Sequence, residues 1–213
     1  MHWTGGTHKV NSLDRKHYHS IFAGDGTRVS GTHSHEDNES TADGIYAAHT
    51  YHMNTNFVGV AIAAMGGKNV KEKPLAYGKW PPTKKQVEAM CKHVAKICDL
   101  YGIKVTKKTV LCHSEVQKNI GIKQRGKWDI NCLPWVSGYG NTLIGDYLRN
   151  QISEELHFLQ NPPPLEPFKP APPPVPVTPK PRLNPILMVA GGGIIGALVV
   201  AYDKVAAFIG GLF

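Results

Sequence analysis

Residues 57–65 read FVGVAIAAM, apolar at every position and closed by Gly66-Gly67. A short continuous apolar run bounded by glycines marks a strand buried on both faces, so the chain has to supply covering elements for both sides of a sheet. One is plain. Thr83 with Gln86 three residues on is a capping box, Pro81-Pro82 blocks any earlier helical start, and Val87, Met90, Cys91, Val94, Ile97 and Cys98 recur at helical spacing up to Tyr101-Gly102. A second helix is predicted over about 141–158, with Leu143, Ile144, Tyr147, Leu148, Ile152 and Leu156 on its apolar side. Tyr18, Ser20 and Phe22 alternate before Gly24-Asp25-Gly26, and Thr27-Arg28-Val29 resumes the pattern, as in a hairpin. KTVLC (108–112) reads as a brief buried strand that delivers His113, and 30–56 as a long polar surface loop. Strands mixed with covering helices give an α/β domain.

Composition divides the chain into three. Residues 1–160 are globular in character, 161–185 are dominated by proline, and 186–213 are almost wholly apolar and glycine-rich. The formal net charge of +8 suits an anionic wall or membrane surface as well as nucleic acid. With no aromatic-interleaved basic stripe and no basic helix placed for a major groove, no nucleic-acid partner is expected. Cys91, Cys98, Cys112 and Cys132 form no CxxC pair, and Cys91 and Cys98 fall on the core side of their helix. The first twenty residues carry charges and histidines instead of an apolar run, so we read no signal peptide and a globular part made in a reducing cytoplasm.

The chemistry-bearing stretch is CHSEVQKNIGIKQRGKWDIN. His113 at a strand end and Asp129 after a loop are both zinc-type donors, and Lys127 lies two residues before the carboxylate. A hydrolytic zinc needs three protein ligands and an open position, and this stretch offers two. His33 and His35 in HSHED sit in the polar loop and are read as exposed, while His8, His52, His93 and His157 carry no assigned role.

Five motifs in order resemble those of the zinc-dependent N-acetylmuramoyl-L-alanine amidases of type 2, which share their fold with peptidoglycan recognition proteins. They are HWTGGT, YHSIFAGDGTRVSG, AAHTYHMNTNFVGVAIAAMGG, TKKQVEAMCKHVAKICDLYGI, and CHSEV with GKWD, spanning about residues 1–136. The resemblance implies a mixed central β-sheet flanked by helices. It also implies Zn2+ held by His2, His113 and Asp129, with Cys132 second in rank to Asp129 as the last ligand. Tyr18 and Lys127 then stand where the family stabilises the oxyanion, and His49 and Asn56 along the substrate groove. Some relatives carry a glutamate base in the central strand where this chain has Ala61, and Glu115 is read as structural. The activity implied is hydrolysis of the bond between N-acetylmuramic acid and L-alanine in peptidoglycan. A non-catalytic peptidoglycan-binding module on the same fold is the alternative.

The proline-rich segment is expected to be an extended spacer. The tail, PILMVAGGGIIGALVVAY and beyond, is read as a membrane span, against a glycine-rich helix that only packs or lies on a membrane. Lys169, Lys180 and Arg182 precede it and Lys204 follows, which leaves the catalytic domain on the cytoplasmic face. That layout suits a monomeric phage endolysin held in the host cytoplasm or at the inner face of the host membrane, reaching the wall after the membrane is breached. Only Met1 precedes His2, so the first strand reads as missing its earlier residues, and we expect them upstream.

Overall fold

The computed structural model describes residues 1–164, and the apolar run lies at the centre of its sheet. In chain order the regular elements are β1 (His2–Trp3), α1 (Ser12–His17), β2 (Ser20–Phe22), β3 (Arg28–Ser30), β4 (Val60–Ile62), β5 (Val70–Lys71), β6 (Ala76–Tyr77), α2 (Lys84–Leu100), α3 (Val116–Ile120) and α4 (Asn141–Gln160). β1, β4, β2 and β3 form one sheet in that order, and β5 and β6 a separate pair. β4 runs parallel to both neighbours, with Ala61 between His2 and Ile21, while β2 and β3 form the antiparallel hairpin. The sheet is mixed and flanked by helices, as the sequence implies.

Burial explains the order. Val60, Ile62 and Ala64 face a core shared with Val87, Met90, Cys91 and Val94 of α2 and with Ile144, Leu148 and Ile152 of α4. Ala61 and Ala63 pack on the other face with Ile21, Val10 and Tyr18. Small residues there let the amino-terminal segment lie close over the sheet. The capping box on α2 forms as expected, and its Gln86 does more than cap: Nε2 donates to Phe22 O at 3.1 Å and Ala63 O at 2.8 Å, tying the helix start to β2 and to the end of β4.

Some expectations are corrected. The segment 108–112 is not a regular strand; Val110, Leu111 and Cys112 are buried, and their sheet-like bonds go to Met1 alone. Leu143 is exposed on α4 instead of facing the core. β1 itself spans only His2 and Trp3, both buried. α1, which no apolar periodicity announces, is fixed by a capping box between Asn11 and Asp14. Among the described residues no helix is long and apolar enough to cross a membrane, and the expected spacer and tail from 165 on lie outside them.

Candidate metal centre and active site

His2 is held by backbone on both sides. It pairs with Ala61 of β4, and the preceding residue is pinned where Met1 N donates to Leu111 O at 2.6 Å and His113 N donates to Met1 O at 3.0 Å. The same pair of bonds fixes His113, which begins a tight turn, His113–Glu115, leading into α3. Asp129 is brought in by a second set: Ser114 N donates to Asp129 O at 2.6 Å, Trp128 packs edge-on against Trp3 with ring centroids 4.8 Å apart, and Ile130 is fully buried.

The result is one convergent point. His2 Nδ1 lies 3.1 Å from His113 Nδ1 and 3.1 Å from Asp129 Oδ2, and His113 Nδ1 lies 3.3 Å from the same oxygen. All three residues are buried. The far side of each ring is already committed. Gln124 Nε2 donates to Tyr51 O, which turns its Oε1 toward His113 Nε2 at 2.9 Å, so that nitrogen carries the hydrogen. His49 Nε2 bonds to the carbonyl of Phe57, leaving His49 Nδ1 to accept from the Thr50 hydroxyl at 2.8 Å. Thr50 Oγ1 in turn faces His2 Nε2 at 3.4 Å as acceptor.

Two bare imidazole nitrogens and a carboxylate oxygen thus face each other in a buried space. Such a donor set fits a divalent cation of the zinc type, with partners behind each ring of the kind that fix the ligating tautomer. The electrostatics agree. His2 is pushed down to about 3 by burial first and then by the nearby amino terminus, so its ring is neutral at neutral pH. Burial pushes the Asp129 carboxyl up, but the His113 and His2 rings packed against it outweigh burial and hold the group well below the usual carboxylate range. Cys132 is fully buried in the core and raised to about 11 by burial; it takes no part in the cluster, which removes it as the alternative ligand.

Residues 1–129 match the family model of N-acetylmuramoyl-L-alanine amidase, a span that runs from the first of these donors to the last. The chain belongs to that amidase family. No curated protein and no solved structure matches it. An amidase of this family acts on peptidoglycan, and the other residues of the site are best described against that substrate class.

Tyr18 caps α1 and lays its ring 5.2 Å from that of His2. Burial, then the charges of Asp129 and Asp14, raise its phenol, which keeps the hydroxyl protonated as a donor. Lys127 is exposed on the turn that leads into Asp129, its backbone N–H bonded to Gln124 O. Asn56 is exposed at a left-handed φ of 59° and lines a cavity that reaches His2 and His113. His49 lines the same cavity, with both its ring nitrogens bonded within the amidase, and its ring lies close to Gly59, where a Cβ would come within 2.4 Å of it.

Three supports were not evident from sequence. Asn38, fully enclosed, ties the long loop together: Nδ2 donates to Ala47 O and Asn54 O, and Oδ1 accepts from Ala47 N and from His19 Nε2. Gln124 orients His113. Arg149 of α4 is the third: it meets Glu115, read as structural, in a two-pronged ion pair at 2.8 Å on each arm, and Glu115 Oε2 also accepts from Cys112 N. His35, expected to be exposed, is half-buried against His19 and bonded to Tyr101.

Proposed function

We propose that the chain is a zinc-dependent N-acetylmuramoyl-L-alanine amidase of the phage endolysin type, cleaving the bond between N-acetylmuramic acid and L-alanine to lyse a bacterial host. The observation that carries the reading is the convergence of His2 Nδ1, His113 Nδ1 and Asp129 Oδ2 within 3.3 Å of one another. These three residues would hold the ion. Bound zinc supplies Lewis acidity and a water acidified toward neutral pH.

The remaining work falls to the chain. Gln124 and the Thr50–His49 pair keep both imidazoles facing inward with their lone pairs free. Tyr18, protonated and beside His2, donates its phenolic O–H to the oxygen that gains charge as the lactyl carbonyl becomes tetrahedral. Lys127, exposed two residues before Asp129, brings a positive charge to the same oxygen. Asn56 offers an amide to the glycan or peptide on the wall of the groove. Ala61, opposite His2 in the register, places no carboxylate in the central strand.

The apolar tail at 186–213 supports the cellular part of the reading: a monomer in the host cytoplasm or on the inner face of the host membrane, delivered to the wall on breach. Digestion of purified wall tests the activity. New amino-terminal L-alanine without new reducing sugar is expected, and binding to wall without release would leave a peptidoglycan-binding module. A carboxyl-terminal reporter found wholly in the soluble fraction would refute the membrane placement.

A further inference from the structure

Of the four non-glycine residues at left-handed φ among those described, two, His52 at 56° and Arg125 at 54°, meet the same side chain. The Tyr51 ring stands edge-on to that of His52 with centroids 3.9 Å apart, and the Arg125 guanidinium lies over it, 4.4 Å from its centroid. Arg125 and Gly126, at 54° and 74°, are the central residues of a turn closed where Lys127 N donates to Gln124 O at 3.2 Å. Asn, Asp or Gly is the usual first central residue of a doubly left-handed turn, because other side chains bring Cβ against the backbone. An arginine there carries backbone strain, and strain of this kind gathers at sites that bind or react.

Each member of the stack follows a residue that touches a ring of the candidate metal centre. Gln124, before Arg125, bonds to His113 Nε2 at 2.9 Å, and its own Nε2 donates to Tyr51 O at 3.0 Å. Thr50, before Tyr51, faces His2 Nε2 at 3.4 Å. Tyr51 keeps 46% of its surface exposed, and Lys123, Arg125 and Lys127 are all exposed around the buried Gln124. None of these three cations has an ion-pair partner among the described residues, where Lys92, Lys107 and Arg149 do. Contact with the ring face holds the guanidinium while using none of its N–H donors. A planar fork held in place, with free donors and no counter-ion, is matched by a carboxylate, which accepts two parallel N–H bonds.

We propose that Arg125, braced by Tyr51, binds a free carboxylate of the stem peptide and so selects stems in which that carboxyl is not amidated, a placement that rests on the amidase reading. The glutamate that follows L-alanine in such a stem is linked through its side chain, which leaves its α-carboxyl either free or amidated. That carboxyl stands one residue from the scissile bond, within reach of a side chain as long as arginine's that begins beside Gln124. Lys123 and Lys127 flank Arg125 in the sequence and add positive charge, which favours the anion over the neutral amide. The amide also loses one of the two acceptors that the fork requires.

The test measures calorimetric binding of two stem tripeptides, L-Ala-D-isoGlu-L-Lys and L-Ala-D-isoGln-L-Lys, each amidated at its carboxyl terminus so that they differ in one carboxylate. Both lack the muramyl group, so neither is cleaved during the measurement. The full chain is expected to bind the carboxylate form ~10-fold more tightly. Arg125→Ala should bring the two within ~2-fold of each other, while Arg125→Lys, which keeps the charge without the fork, should retain a ~3-fold preference. Equal affinity of the unaltered chain for the two peptides, binding of neither, or a preference that survives Arg125→Ala overturns the proposal. Loss of zinc in Arg125→Ala also overturns it, since the stack would then be a brace for Gln124 and His113. Digestion of wall by the same preparation reports on the amidase reading separately: hydrolysis without peptide preference refutes the carboxylate site alone, and preference without hydrolysis keeps that site and refutes the amidase.

Discussion

Gln124 Oε1 accepts the Nε2 hydrogen of His113 across 2.9 Å, and the rest of the Gln124 amide leaves that oxygen no other orientation. The ring is thereby held with Nδ1 bare toward His2 and Asp129. Gln124→Leu removes the acceptor while keeping an apolar side chain of similar length. Zinc affinity is expected to fall ~10- to 100-fold with the fold retained, read by competition with a chromogenic chelator alongside far-UV circular dichroism. Unchanged affinity would show that His113 needs no such partner.

The Glu115–Arg149 pair joins the His113 turn to α4 from within the protein, both side chains almost wholly buried. Removing one partner leaves the other charged and unpaired, so Glu115→Gln and Arg149→Met are each expected to cost about 3–5 kcal/mol. The double variant should cost less than the sum of the two. Urea unfolding of the three variants measures this, and additive losses would mean that the two groups do not act on each other.

Acid should destabilise the fold well above the pH at which carboxylates protonate. His19 and His93 are both lowered to about 4, His19 by burial and then His35, His93 by burial and then Arg28; His2 is lowered to about 3. The unfolded chain takes up protons at these positions near pH 6.5 and the folded chain does not, so stability is lost as pH falls below 6.5. The loss ends once pH passes below the folded values. A drop on the order of 2 kcal/mol for each ring held fully neutral is expected between pH 7 and pH 5 in the metal-free protein, measured by urea unfolding. A flat profile over that window would show that these rings are not held neutral.

Much of this was legible in the sequence because the signals are local. The run at 57–65, the Thr83/Gln86 capping box and the Gly24-Asp25-Gly26 turn each name their element from adjacent residues. Segment 108–112 has the composition of a strand without its regularity, because regularity depends on a neighbour, and its neighbour there is Met1 alone. α1 leaves no apolar pattern in the sequence because it spans six residues and buries little besides Asp14. His113 and Asp129 are candidate donors by type and spacing, and they become a ligand set, with His2, only by resemblance. Their supports are marked by neither: Gln124, Asn38 and Arg149 act across the fold, and an amide or guanidinium gains that meaning only from what it faces.

Metal content and wall hydrolysis, measured on the same preparations, test the central claim most directly. The full chain is expected to hold one zinc and to release L-alanine amino termini from purified wall. Chelation should abolish release and added zinc restore it, while Asp129→Ala and His113→Ala should lose both metal and activity with the fold intact. Full hydrolysis by metal-free protein, or full zinc and full activity in Asp129→Ala, would contradict the account.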